Sequence, residues 1–201
     1  MKKVNFNNQY YADPLVLFAE WFEQAKVKEL NDPNAMNLAT ISKKNIPSSR
    51  IVLLKSFTKN GFIFYSNKSS KKGKSILLNP NVALNFYWKS IRKQIRIEGV
   101  VTQLSRKEVD AYFKTRPYQS KIGAWSSNQS KELKTRKELE NKFKQYSRIY
   151  KEGDVPRPPY WVGYKVEPNL FEFWEEKKYR LHNRIEYQKI KNQWKIRSLY
   201  P

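Results

Sequence analysis

The chain contains no cysteine. Disulfides, thiol catalysis and cysteine-ligated metals are therefore excluded. It has one histidine, so a multi-histidine metal site within one chain is excluded too, and no metal is expected. No run of residues is long and apolar enough to span a bilayer. The opening residues, MKKVNFNNQYYADP, lack the apolar centre of a secretory signal. No G-x-G-x-x-G, P-loop, internal repeat or low-complexity block occurs. Together these absences predict a cytoplasmic protein with no membrane partner.

What is present is aromatic and basic. Six Trp, 13 Tyr and 11 Phe in 201 residues supply enough large rings for a sizeable core. The net charge is +22. Such a balance points to nucleic acid. Lysine, asparagine, isoleucine and tyrosine are abundant together, however, as A- and T-rich codons produce, and the lysines are spread along the whole chain. No ribonucleoprotein aromatic signature, zinc pattern or arginine-glycine tract accompanies the charge. No specific nucleic-acid partner is expected.

Period and turn signals divide the chain. In DPLVLFAEWFEQAK, Asp13 can cap a helix and Pro14 suits its first turn. Leu15, Phe18, Phe22 and Ala25 recur at helical spacing. AMNLATIS, SSRIVLLKSF and FIFYS read as strands, with a TKNG turn before the last. SSKKGKSILLN reads as a short serine-capped helix, and VALNFYW and QIRIEGVVTQL as strands joined by KSIRK. SRKEVDAYFKTRP opens on a capping box of Ser105 and Glu108, and Pro117 ends that helix. KELKTRKELENKFKQYSRIYK is a polar helix laced with charge pairs, followed by a proline-rich connection. WVGYKVEP, FEFW, YRLHNRIEYQ and WKIRSLYP close the chain as strands. Short turns between strands imply antiparallel pairing. The fold class is α+β, a meander or barrel with flanking helices. It forms one domain over 13–201 after a short tail, 1–12.

Four segments are candidates for chemistry. In YRLHNR, Arg180, His182 and Arg184 fall two apart and on a strand would share a face. Like charges there repel unless an anion or an electron-rich ring lies between them. A solvated face in a lysine-rich chain is the plainer reading. RIVLLK puts Arg50 and Lys55 at the ends of an apolar run; odd spacing turns them to opposite faces of a straight strand, so charged strand ends are the plainer reading. YSNKSSKK gathers Tyr65, Ser66, Lys71 and Lys72 around a helix start, which suits a phosphate, though a plain capped helix fits equally well. In YFKTRPYQSKIGAWSSNQS, Tyr112 and Arg116 share a helix face, and Ser120 follows just past Pro117. A phosphate or carboxylate fits among the three. IGAWSSNQS reads as a surface loop of the kind that binds, with ordinary packing as the alternative.

In this order RIVLLK, FYSNKSSKK, QIRIEG, YFKTRPYQSKIGAWSSNQS and FEFWEEKKYRLHNR resemble the pyridoxamine 5′-phosphate oxidase family, over nearly the whole chain from Asp13 onward. The resemblance implies an FMN-binding split β-barrel, made as a homodimer whose two sites draw on both subunits. It implies oxidation of pyridoxamine 5′-phosphate and pyridoxine 5′-phosphate by O2 to pyridoxal 5′-phosphate and hydrogen peroxide, in vitamin B6 metabolism. By the resemblance, FMN contacts fall on Arg50, Ile51, Val52, Leu53, Leu54 and Lys55, and on Tyr65, Ser66, Lys71 and Lys72. They continue at Gln94, Gln129, Ser130, Trp174 and Arg184. Substrate contacts fall on Lys55, Tyr112, Arg116, Ser120, Arg180 and His182, the last two as the catalytic pair. Lys71 stands where the family usually has arginine, which loses bidentate geometry but keeps the charge. A split-barrel flavoprotein with another substrate and a basic nucleic-acid-binding protein are the other readings.

Overall fold

The structure is a computed structural model that describes residues 11–201, so most of the expected tail lies outside the described residues. Helix α1 (Pro14–Lys28) is followed by strands β1 (Ala35–Ile41), β2 (Pro47–Leu53), β3 (Ser56–Thr58) and β4 (Gly61–Asn67). Helix α2 (Lys71–Leu78) and strands β5 (Asn81–Trp88) and β6 (Lys93–Gln103) come next. Helices α3 (Arg106–Lys114), α4 (Tyr118–Ser126) and α5 (Arg136–Ile149) precede β7 (Trp161–Glu175), β8 (Asn183–Ile190) and β9 (Gln193–Ser198).

The strands form one curled antiparallel sheet, ordered β2-β1-β5-β6-β7-β4-β3, with β8 on β7 and β9 on β8. The curl comes from β7. Its first half pairs with β4, from Val166 with Phe62 to Trp161 with Asn67. Its second half pairs with β8, from Leu170 with Gln188 to Glu175 with Asn183. Between them β7 carries Pro168, opposite a register shift at Glu98/Gly99 of β6. A proline cannot donate to a ladder. It is tolerated here because on that side β7 has no partner between its pairing with β4 and its pairing with β8. WVGYKVEP and FEFW, read from sequence as two strands, are thus one bent strand.

Alternation supplies the core. In β5, Val82, Leu84, Phe86 and Trp88 turn inward; in β6, Ile95, Ile97 and Val101 do. Helix α1 lies over this face. Asp13 accepts from the Leu15 N–H at 2.9 Å and Pro14 occupies the first turn. Leu17, Phe18, Trp21, Phe22 and Ala25 are buried, so the stripe is wider than the four residues expected from spacing. Phe18 is 0% exposed and meets Phe57, Phe62 and Phe86 edge-on at 4.8, 4.8 and 5.3 Å. A second apolar cluster, Leu104, Val109, Phe113, Ile122, Val155 and Trp161, lies where α3 and α4 meet the start of β7.

Three further expectations are corrected. IGAWSSNQS is not wholly a loop, because α4 runs through Ser126; Ile122 is buried and Ser126 donates back to the Ile122 carbonyl. Pro117 is the N-cap of α4, and α3 has already ended at Lys114. YRLHNR is not a strand. Lys178–Arg180 form a 3-10 turn, Tyr179 and Arg180 are left-handed at φ 58° and 62°, and β8 begins only at Asn183. Arg180, His182 and Arg184 therefore do not share a strand face. Among the described residues no helix is long and apolar enough to cross a membrane.

Phe18 joins α1 to the sheet through three edge-on ring contacts and a tilted one to Trp88, so Phe18→Ala leaves a cavity at the centre of the core. Denaturant unfolding is expected to give a loss of about 3–5 kcal/mol; a loss under about 1 kcal/mol would mean that α1 contributes little.

Candidate active site

A cleft of about 1090 Å³ opens between β2, the end of β4, the start of α2, helices α3 and α4, and the segment after α4. Arg50, Lys55, Lys71, Lys72 and Arg116 line it, and among the described residues no carboxylate does. Ile51, Val52, Leu53, Tyr65, Ser66, Tyr112, Ser120, Gln129 and Ser130 line it as well. Fourteen of the residues singled out from sequence therefore converge here. Arg50 and Lys55 share the cleft despite their odd spacing, because β2 stops at Leu53 and the chain breaks direction before β3. Leu54 is the exception in this stretch: its side chain is 3% exposed and belongs to the core.

Neutral groups fix the cations. Arg50 donates to the Leu38 carbonyl at 3.0 Å, to Thr40 Oγ1 at 2.8 Å and to Ser48 Oγ at 2.7 Å. Lys72 is 9% exposed; its Nζ donates to Gln129 Oε1 at 3.0 Å and to Ser66 Oγ at 3.1 Å. Burial lowers the Lys72 ammonium, and the nearby Arg50 charge lowers it further. Burial likewise lowers the Arg50 and Arg116 guanidinium groups. Ser70 caps α2, accepting from the Gly73 N–H, so Lys71 and Lys72 stand at the positive end of an eight-residue helix. Gly73 is needed there, since a Cβ would strike the Lys68 carbonyl oxygen. Ser130 takes a left-handed φ of 68°, a local strain of the kind found at binding sites.

Aromatic rings form the wall. Tyr65 stacks on Tyr112 at 4.1 Å and on Trp161 at 4.9 Å, each within 5° of parallel. Gly163 lies beneath Tyr65, where a Cβ would meet the ring at 2.8 Å. Sequence reasoning missed Trp161 and Asn67, which also line the cleft. Asn67 directly follows Ser66, which was the available signal; Trp161 has no candidate residue beside it in the sequence.

Gln94, Trp174, Arg180, His182 and Arg184 do not line this cleft. They make a second group. Gln94, Trp174 and Arg184 are cross-strand neighbours on β6, β7 and β8. The His182 ring lies 4.7 Å from that of Trp174, and its Nδ1 accepts from the Lys177 N–H at 3.2 Å. Arg184 Nε donates to Glu172 at 2.9 Å and its Nη1 to the Tyr200 carbonyl at 2.7 Å. Glu172, 4% exposed, also accepts from Arg96 at 2.7 Å.

Residues 22–150 match the family described as pyridoxamine 5′-phosphate oxidase, and residues 161–201 match the pyridoxine 5′-phosphate oxidase C-terminal dimerisation region. The chain belongs to the pyridoxamine 5′-phosphate oxidase family. It is accordingly an enzyme, an oxidoreductase. A pyridoxine/pyridoxamine 5′-phosphate oxidase of Bartonella henselae is 47% identical over 94% of this chain and 92% of its own length. One from Rhodospirillum rubrum is 48% identical over 94% and 96%. Among solved structures, PhzG from Burkholderia lata, in complex with tetrahydrophenazine-1-carboxylic acid, has a TM-score of 0.92 at 30% identity, covering 100% of this chain and 99% of its own. An FMN-binding protein related to the oxidase, from Nostoc punctiforme, has the same fold, with a TM-score of 0.77 at 17% identity over 95% of this chain and 99% of its own. The curled sheet with flanking helices is this family's split barrel.

Burial, then the electrostatic influence of Tyr112 and Glu108, pushes the Tyr65 phenol up to about 12. The unfolded phenol, near 10, ionises first, so the contribution of Tyr65 to stability is complete below pH 10 and is lost as pH rises towards 12. Tyr65→Phe should therefore lose less stability than the parent between pH 9 and 11, read by denaturant unfolding; equal losses would place the alkaline effect elsewhere.

Proposed function

We propose that the chain oxidises pyridoxine 5′-phosphate and pyridoxamine 5′-phosphate to pyridoxal 5′-phosphate, with FMN as cofactor, O2 as electron acceptor and hydrogen peroxide as product; from the amine substrate, water also releases ammonia. The observation that carries this reading is a cleft lined by five cations and no carboxylate. Such a cleft suits two phosphates, one from the cofactor and one from the substrate. The names of the relatives at 47% and 48% identity support the same substrates.

The residues present fit FMN. Lys71 and Lys72 at the start of α2, with Arg50, Tyr65, Ser66, Gln129 and Ser130, hold its phosphate end. Ile51, Val52 and Leu53 offer aliphatic surface to its ring, and Leu54, whose side chain is in the core, contributes backbone only. When bound, FMN supplies the hydride acceptor and the place where O2 is reduced. The protein supplies placement. Arg116, Tyr112, Ser120 and Lys55 hold the substrate phosphate and so fix the C4′ carbon.

The second group serves the cleft of another subunit. Two facts support this. The turn that carries Arg180 is exposed, with Tyr179 at 89%, and the match to a dimerisation region spans β7 and β8, which carry Trp174 and Arg184, and the turn between them. In a homodimer Gln94, Trp174 and Arg184 approach the FMN ring while Arg180 and His182 approach the C4′ group of the substrate. Because His182 Nδ1 accepts from the Lys177 N–H, the neutral ring carries its proton on Nε2. That N–H is the donor offered to the oxygen or nitrogen on C4′. Hydride transfer needs this placement more than a strong base.

Purified protein is expected to be yellow and to release peroxide with pyridoxine 5′-phosphate. Colourless protein that takes up no added FMN would overturn the reading. Peroxide release with a non-phosphorylated substrate alone would favour a split-barrel flavoprotein of other specificity. Arg116→Ala should raise KM for pyridoxine 5′-phosphate about tenfold or more, the loss of one charge-assisted contact. Its affinity for FMN, followed by fluorescence quenching, should barely change; the opposite pattern would swap the two phosphate seats.

A further inference from the structure

Arg116 is held in an unusual way. None of its side-chain nitrogens has a hydrogen-bond or ion-pair partner among the described residues, and Nη1 is buried without one. A buried donor left unpaired costs roughly 1–3 kcal/mol, so an arginine normally finds a carboxylate or carbonyl. Two rings take that place. The Arg116 guanidinium carbon lies 4.9 Å from the Trp161 ring centre and 5.5 Å from that of Phe113.

Trp161 is itself immobilised. It is 8% exposed, stacked on Tyr65 at 4.9 Å, and met edge-on by Phe113 at 5.0 Å. Its backbone N–H donates to the Pro158 carbonyl at 3.0 Å, and its backbone carbonyl accepts from Arg157 Nη1 at 2.7 Å. Tyr112 and Trp161 are 6.3 Å apart and parallel to 2°. Both rings stack on Tyr65, so the three aromatic planes form one parallel group. The guanidinium thus rests on a rigid platform that accepts none of its hydrogens.

We propose that Trp161 is a positioning residue for the substrate phosphate: it holds Arg116 by cation–π contact and takes none of its N–H groups, so those that face the cleft are left for an anion. The inference rests on the substrate reading above. A carboxylate in place of Trp161 would hold Arg116 as firmly but would neutralise it and compete with the phosphate. Indole is the strongest neutral platform for a guanidinium.

The test is a double-mutant cycle on the FMN-loaded protein, with calorimetric binding of pyridoxal 5′-phosphate and of pyridoxal, which lacks the phosphate. Trp161→Leu should weaken pyridoxal 5′-phosphate about tenfold. Pyridoxal binding and kcat should stay within about twofold, with the rest of the loss in KM. Trp161→Phe, which keeps a ring, should recover most of the affinity. In an Arg116→Ala background, Trp161→Leu should change phosphate binding by less than about twofold. A full tenfold loss in that background, or equal weakening of pyridoxal, would overturn the proposal. If Trp161→Leu does not fold, Trp161→Phe carries the same cycle: a loss of about two- to threefold that vanishes without Arg116 is expected, and no loss in the parent background overturns the proposal. A parent protein that binds no pyridoxal 5′-phosphate overturns both this inference and the substrate reading; a parent that binds it with an additive cycle overturns this inference alone.

Discussion

Arg50, Lys55, Lys71, Lys72 and Arg116 repel one another across a single cleft, and no acid among its lining residues relieves them. The rest of the site is arranged around that repulsion. Carbonyls and hydroxyls fix Arg50, a serine and a glutamine fix Lys72, and rings fix Arg116. Each device orients a cation without neutralising it. The attraction that a carboxylate would have satisfied is left for a ligand. Carboxylates are not scarce nearby: Glu108 and Asp110 both sit on α3, but Glu108 caps the helix at Ser105 and Asp110 pairs with Arg157.

The second group of basic residues is treated in the opposite way. Arg184 and Arg96 close on the buried carboxylate of Glu172, and Arg197 closes on Glu186. These pairs make a neutralised strand face, suited to packing against another protein surface. The two treatments divide the molecule into a cleft that attracts anions and a sheet face with its charge already matched. Both depend on β7. Its first half carries Trp161 and Gly163 beside the cleft, and its second half carries Glu172 and Trp174 at the other end of the strand. The exchange of partners at Pro168 separates them.

Much of this was legible in the chain. The helix caps at Asp13, Ser70 and Ser105, the inward alternation of β5 and β6 and the antiparallel order follow from local rules, and the structure has them. Tyr112 and Arg116, four apart, do reach one cleft. The local rules failed where a remote contact decides the outcome. YRLHNR has strand-like spacing, but two left-handed residues break it. They are held by hydrogen bonds from the Glu176 N–H to Arg92 and from the Lys177 N–H to His182, contacts that spacing does not report. Pro168 looked like a strand end because nothing local announced a gap between two partners.

The sequence by itself determined the elements, their caps and inward faces, and which residues are chemically fit to hold an anion, because these depend on neighbours one to four positions away. Only the tertiary structure decided that Arg50 and Lys55 meet in one cleft, that Arg180 and Arg184 part company, and that Trp161 rather than an acid holds Arg116. Those outcomes depend on where the chain changes direction and on what packs against it from far along the sequence, and no local period carries that information.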